Sequence, residues 1–459
     1  MEAQMVGGAS PNSMNSHANH QHVITVATEA ARDWSSVLQR RLGHRPTRLK
    51  HSAGSDSCCI FRVPGTLREV NPKAYRPRIV SIGPYHHGKE ECVQMIEEHK
   101  PRFFSTLVSR TRNLGVDCNE YFNAIASREE EIRDCYSEPL NFGSDELIEM
   151  MVFDGCFIIE LFRVIEGIIT PDPDDPIFNM LWTFTAFMRD FLHLENQVPF
   201  FVLQTLYDLS KGPGDDDQYS LVKLALQFFN YGVQRPPEVL EKYYDVSDVK
   251  HLLHLIHMSF INLPPEDPRE FDSEYLQLVH SVTKLRRSGV KFKPRKCDGW
   301  LNIRFNKGVL EIPPLTIDEL TSSFFLNCVA FEQCYCYCSQ HVTSYVTFMG
   351  CLMATADDAS FLSDHHVVEN YFGTSPEVAS FFNNLGKDVG FDISRSYLAG
   401  VMEDLNRYHR NRWRVRWTGL KRKYFGTPWS FISALAAFII LVLTFIQSFF
   451  ALYAYVRPP

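Results

Sequence analysis

FMRDFLHLENQVPFFVLQTLY, Phe187 to Tyr207, sets five polar side chains into a run that is otherwise almost wholly apolar. Asp190, His193, Glu195, Asn196 and Gln197 are flanked by Phe191, Leu192, Leu194, Val198 and the Phe200–Leu203 stretch. Such surroundings bury some of these groups, and a buried polar group needs a hydrogen-bond partner. Pro199 has no amide donor and biases the preceding residue away from helix, so carbonyls of the turn before it are released. Asn196 and Gln197 stand where they can satisfy them. A second case is NCVAFEQC, 327–334, with Asn327, Glu332 and Gln333 in another apolar run. If Glu195 and Glu332 met, the pair would have split pKa values and could do acid–base work. No nucleophile or cofactor-binding pattern stands beside them, so Glu195, Asn196, Gln197, Asn327, Glu332 and Gln333 are read as structural polar networks and no catalytic residue is assigned.

Outward from this centre the pattern is mainly helical, from Cys92 to about Leu285 and again from Glu319 to Asn411. Acidic, proline-bearing loops interrupt it at 171–176, 212–217 and 264–272. Short β-rich pieces are expected at Ile60–Val63, Ile79–Ile82, Val290–Phe292, Leu301–Phe305 and Val309–Ile312, with Asn306-Lys307-Gly308 as a hairpin turn. The fold class is therefore mainly α: one large helical domain, 58–425, with a small sheet that pairs distant segments. Residues 1–22 are polar enough to be disordered. Residues 23–57 read as an amphipathic helix, Val23 to Leu42, followed by a linker.

Other motifs carry less. SIGPYHHG, 81–88, lacks the Gly-x-Ser-x-Gly elbow and reads as a rigid turn. His251, His254 and His257 recur at steps of three on a half-exposed helix face, with no carboxylate nearby in sequence to complete a metal set. Cys334, Cys336 and Cys338 alternate with tyrosines, which is a poor zinc spacing, although on a strand they would share one face. KLRRSGVKFKPRK, 284–296, reads first as a lysine-protected strand edge, with a lipid contact or an acidic partner as its other options. It has too few aromatics for a single-strand binder, and no phosphate-cradling glycine loop occurs. Neither nucleic acid, metal nor cofactor is expected.

Charge and hydropathy single out the C-terminal part. The net charge is -8, but nine basic and two acidic residues from Glu403 onward leave about -15 for the other 402. Trp429 to Val456 has no charged side chain. As a helix these residues would be about 42 Å long against a hydrocarbon core of about 30 Å, so 429–456 is expected to be a single transmembrane helix. Arg412, Arg414, Arg416, Lys421, Arg422 and Lys423 precede it and only Arg457 follows, which places the body in the cytosol. The opening MEAQMVGGAS is no secretory signal, so the expectation is a tail-anchored protein with reduced cysteines.

Taken together these segments resemble the plant family called domain of unknown function 247, or UPF0481. The matching residues are IFRVPGTLREVNPKAYRPRIVSIGPYHHG at 60–88, EEHKPRFF at 97–104, MMVFDGCFIIELFR at 150–163, FLHLENQVPFFVL at 191–203 and SGVKFK at 288–293. GVLEIPPL at 308–315, AFEQC at 330–334, VTSY at 342–345 and KYFGTPW at 423–429 complete them. The resemblance implies a plant protein, mostly helical and C-terminally anchored, with no established enzymatic activity. Some grass members resemble pollen-side determinants of self-incompatibility.

The resulting expectation is a non-enzymatic recognition or signalling protein in a membrane, the plasma membrane first. It would contact lipid through its helix and bind a protein partner, with oligomers allowed. The competing reading is a membrane-bound enzyme using Glu195 and Glu332 with His86 or His87.

Overall fold

A computed structural model describes residues 34–43, 46, 48–89, 93–212, 219–261, 277–296, 299–371, 373–387, 389–410 and 428–456. The tail 1–22, the start of the helix expected from Val23, the acidic loops at 213–217 and 264–272, and the basic flank 412–423 lie outside the described residues. The chain divides into two compact units, Met1–Pro46 and Thr47–Pro459. Within the first, α1 spans Trp34–Leu42.

The second unit is mainly helical. Its first half holds α2 (Lys100–Thr111), α3 (Cys118–Ala126), α4 (Ser144–Ile165), α5 (Leu181–Asp190), α6 (Phe200–Leu209), α7 (Leu221–Val233) and α8 (Leu252–Phe260). α4 is apolar around most of its circumference, and α2, α3, α6 and α7 pack on it, as expected of a helix with no solvent face. Its buried charges are paired: Asp154 with Lys100, and Glu160 with Arg110 and Arg163. The many phenylalanines form a continuous run of ring contacts, Phe103–Phe157–Phe187–Phe191–Phe228, with centroids 5.0 to 6.0 Å apart.

The second half begins with α9 (Val282–Arg287) and a three-stranded sheet of β1 (Lys291–Pro294), β2 (Arg304–Asn306) and β3 (Val309–Ile312). Strand order is β1-β3-β2, with β1 parallel and β2 antiparallel to β3. Lys307 and Gly308 form the two-residue hairpin turn with φ of 47° and 84°, the left-handed pair that such a turn requires. A Cβ on Gly308 would also collide with the Tyr408 hydroxyl. β1 is an edge strand with Lys291 and Lys293 exposed, matching the edge-protection reading. β4 (Leu315–Ile317) follows, then α10 (Glu319–Cys334), α11 (His341–Leu352), α12 (Ala356–Asp364), β5 (Val368–Asn370), α13 (Ser375–Leu385) and α14 (Ala399–Arg410). The parallel β4–β5 pair was not legible beforehand: three residues are too few for a period.

Two expectations fail here. Ile60–Val63 and Ile79–Ile82 are not strands; Ile60 makes one isolated bridge to Tyr136, and no sheet joins these segments to β1–β3. Residues 48–57 are not a free linker either. The Lys50 amide donates to Ser137 O at 2.8 Å, and Tyr335 donates to the Asp56 carboxylate at 2.6 Å.

α15 (Pro428–Val456) closes the chain, and Leu435–Tyr453 within it is long and apolar enough to cross a membrane. A core helix of this composition would be buried, but none of this span is. Thr444 donates to Ile440 O at 2.8 Å, which satisfies its hydroxyl within the helix.

Candidate functional site

Phe191–Pro199 connects α5 to α6, and all nine residues are buried. Loops avoid this because water cannot reach their backbone groups. Here side chains take the place of water. Leu194 N–H donates to Asn327 Oδ1 at 2.9 Å, while Asn327 Nδ2 donates to Ala74 O and Ser323 O. Gln197 Nε2 donates to Phe191 O and His193 O at 2.7 and 2.8 Å, and its Oε1 accepts from Leu253 N–H at 3.3 Å. The Gln197 carbonyl accepts from Tyr136 at 3.0 Å. Asn196 and Gln197 thus bond turn carbonyls, as Pro199 implied.

The same loop fastens the N-terminal segment. Asp190 Oδ2 accepts from the amides of Arg78, Ile79 and Val80 at 2.8, 2.8 and 3.3 Å. Asn196 accepts from Ile82 N–H at 2.7 Å and donates to Val80 O at 3.1 Å. Asp154 accepts from Gly83 N–H at 2.7 Å and from the Lys100 ammonium. Residues 79–82 belong to no helix or strand, and carboxylates and an amide supply the partners a neighbouring strand would have offered. Gly83 is at φ 73°, and a Cβ there would collide with the Gln197 carbonyl. Burial raises the Asp190 carboxyl above its usual range against the pull of Arg189 and the backbone donors.

Glu195 is the charged centre. Its Oε1 accepts from Val63 N–H at 2.7 Å and from Arg68, and its Oε2 from Arg62 at 3.1 Å, with His86 Nε2 3.3 Å away. Burial raises this carboxyl, but the His86 contact, Arg68, the Val63 amide and Arg62 outweigh it and leave it below its ordinary value. Arg62 also lies 4.1 Å over the Tyr85 ring.

The second network surrounds Glu332. Its oxygens accept from Val342 and Thr343 N–H at 2.8 and 2.6 Å, the otherwise unpartnered donors of the first turn of α11. His257 Nε2 completes it at 2.7 Å. The three histidines are not on a half-exposed face. All are buried against Phe331, and His251 is the N-cap of α8 rather than part of it. His251 Nδ1 accepts from His254 N–H and its Nε2 lies 3.1 Å from Cys59 O, so the proton sits on Nε2. Burial holds His193 and His251 well below the usual imidazole range, and burial with His257 pushes His254 down to about 3.

Glu195 and Glu332 therefore do not meet: no partner is shared and no hydrogen bond joins them among the described residues. Gln333 belongs to neither centre; half-buried, it clamps Gly390 through both backbone groups. Cys336 and Cys338 lie in a loop after α10, not on a strand. Among the described residues no His/Cys/Asp/Glu group could hold a metal. An open groove of about 800 Å³ runs past α11, lined by Glu332, Cys336, Cys338, His341, Asp392 and Arg395 among others. Its lining includes Glu332 but not Glu195. Sequence reasoning missed Arg62, Arg68, Lys100 and Asp154. Asp154, set with Glu160 and Arg163 in an otherwise apolar 14-residue match, carried the same contrast signal.

The fold and its centres define a helical body built around buried polar networks, with one long apolar helix at its C-terminal side. The profile of the family described as "Plant protein of unknown function" (DUF247) matches residues 60–443, and the chain belongs to that family. It is 40% identical to UPF0481 protein At3g47200 of Arabidopsis thaliana over 90% of both chains. It is 23% identical to a second Arabidopsis thaliana UPF0481 protein, At3g02645, over 87% of this chain and 91% of the relative. No solved structure matches the chain.

Proposed function

We propose that this is a membrane-anchored protein that acts by binding another protein and does no chemistry of its own. α15 is the anchor, and the Lys/Arg excess before it puts the body on the cytosolic side. One observation carries the non-enzymatic reading. The carboxylates best suited to acid–base work, Glu195 and Glu332, have their oxygens committed to core amides, arginines and histidines. A general acid or base must reach its substrate, and these would first have to break the fold. Self-recognition in pollen, at the plasma membrane, is the narrowest form and rests on family likeness alone. The test is purification of the full chain from native membranes in mild detergent. A stoichiometric protein partner is expected; its absence from every tissue that expresses the chain would refute the proposal.

The groove beside Glu332 favours a second reading, an enzyme using that carboxylate. It requires a turnover that Glu332→Gln abolishes while the variant keeps its fold.

A further inference from the structure

Basic segments far apart in sequence meet at one place in the body. Residues 277–310 hold nine Lys/Arg and one Asp, a surplus of eight within an acidic protein. Lys291 N–H donates to Gly308 O at 2.9 Å, tying β1 to the hairpin turn. Tyr408 of α14 covers Gly308 and meets the Phe305 ring edge-on at 5.5 Å. One residue further on, His409 hydrogen-bonds Ser288, just past α9, and its ring lies 4.5 Å from that of His280. The last turn of α14 is thus wedged between the hairpin and the end of α9.

Lys284, Arg287, Lys291, Lys307 and Arg410 are exposed around this junction. Among the described residues none of the five has a carboxylate within ion-pair distance. Arg407 is paired with Glu403 and Asp404, and Lys293 and Arg304 both face Glu311 across the sheet, so these three contribute little. Burial, with the charge of Lys284, keeps His280 and His409 below their ordinary range, so the surplus at neutral pH comes from lysine and arginine.

The chain runs from Arg410 to Pro428 through 17 residues that include six of the basic flank and no acid. Fully extended they reach at most about 60 Å, so an inserted α15 keeps the end of α14 within that distance of the bilayer. We propose that the face made by the ends of α9 and α14, β1 and the β2–β3 turn rests on a leaflet containing anionic phospholipid. This rests on the anchoring reading above. Its consequence is that the body is held in one orientation rather than swinging on its tether.

The test is hydrogen exchange of the full chain in nanodiscs of phosphatidylcholine, with and without phosphatidylserine. Peptides covering 284–310 should exchange more slowly only with phosphatidylserine, and high salt should reverse this. Each basic side chain near the surface is worth about fivefold in affinity, so Lys284→Gln, Lys291→Gln and Lys307→Gln together should weaken the contact about a hundredfold and restore the faster rate. Equal exchange in both lipids overturns the proposal. So does loss of protection on neutralising 411–427 alone while the triple variant has no effect. Protection by polyglutamate without any response to phosphatidylserine assigns the face to an acidic protein and overturns it too. Failure of the anchor shows separately, as chain that elutes apart from the discs. Flotation of that chain with phosphatidylserine vesicles then supports the lipid contact, and absence of flotation refutes it.

Discussion

Gln197→Leu removes the amide that closes the buried loop and leaves the volume almost unchanged. Three hydrogen bonds go: two to the carbonyls of Phe191 and His193 and one from Leu253 N–H. His193 O keeps the Asn196 amide, so it is not orphaned. Phe191 O and Leu253 N–H lose their only hydrogen-bond partner and stay buried, at about 1–3 kcal/mol each. A leucine of similar size opens no cavity, so the cost should be near 4 kcal/mol, taking roughly 2 for each orphan. Unfolding entropy of about 2.1 cal/mol/K per residue over roughly 370 residues converts this to a melting point lower by about 5 °C. Intrinsic-fluorescence melting in mild detergent reads it, and faster exchange of the Leu253 amide localises it. Gln333→Leu is the control: it removes two bonds to Gly390 at a half-exposed position where water can replace them, and should cost less than about 1 kcal/mol. If the two substitutions shift melting equally, the loop is not held by its polar side chains and the reasoning is wrong.

Gly83→Ala meets both a left-handed φ and the Gln197 carbonyl, whereas Gly88→Ala meets only φ 69° with open space around it. Gly88→Ala should cost about 1–2 kcal/mol and Gly83→Ala clearly more, and equal melting points would contradict the close approach. Mild acid should destabilise the body through its buried histidines. Neutral, depressed imidazoles at His193, His251 and His254 bind protons in the unfolded chain from its ordinary pKa near 6.5 downwards, so stability falls as pH drops through 6.5 towards the folded values. His254, pushed down to about 3, contributes about 2 kcal/mol by pH 5, and His193 and His251 act in the same direction. The raised carboxyls of Asp190, Glu97 and Glu166 oppose this, the depressed imidazoles of His280 and His409 add to it, and the depressed Glu195 acts only below its ordinary value near 4.5. Denaturant titrations that give one stability from pH 7.5 to about 5 would refute it. Alkaline carbonate should leave the full chain in the membrane pellet and release a chain lacking 428–459, and protease added to sealed vesicles should digest the body; release of the full chain denies the anchor.

Much of this was legible in the sequence because it is written in periodicity or in contrast. A long uncharged apolar run, helical spacing and an Asn-Lys-Gly turn each state a local preference that tertiary structure had no reason to override. Polar residues in apolar company marked the networks for the same reason, since burial without a partner is too costly to tolerate. What could not be read is which partner each would find. The β-rich look of Ile79–Ile82 reflected burial: the segment is buried, but it joins no sheet. The strand failed because its partners are Asp190 and Asn196 side chains, more than a hundred residues away. His251, His254 and His257 misled in the opposite direction. Histidine at a three-residue step suggests a polar face, and only the packing of α8 on α10 shows that the face is internal.

That pattern explains why the body resists division. Its N-terminal residues have little regular structure of their own, and they are fixed by bonds of very long range: Val63 to Glu195, Cys59 to His251, Ala74 to Asn327 and Asp56 to Tyr335. Each joins a backbone group or carboxylate near the start of the body to a polar side chain in the middle or near the end. An apolar side chain at any of these positions could fill the volume but could not choose a register for an extended segment, because hydrophobic contact has no direction. A hydrogen bond does, so the polar networks select one threading of residues 56–83 among many of similar burial. Such contacts form only after long loops close, which makes folding slow and leaves no sub-fragment with a complete core. The buried charges that resemble catalytic equipment are then what a long, weakly structured segment needs in order to have one place in the fold.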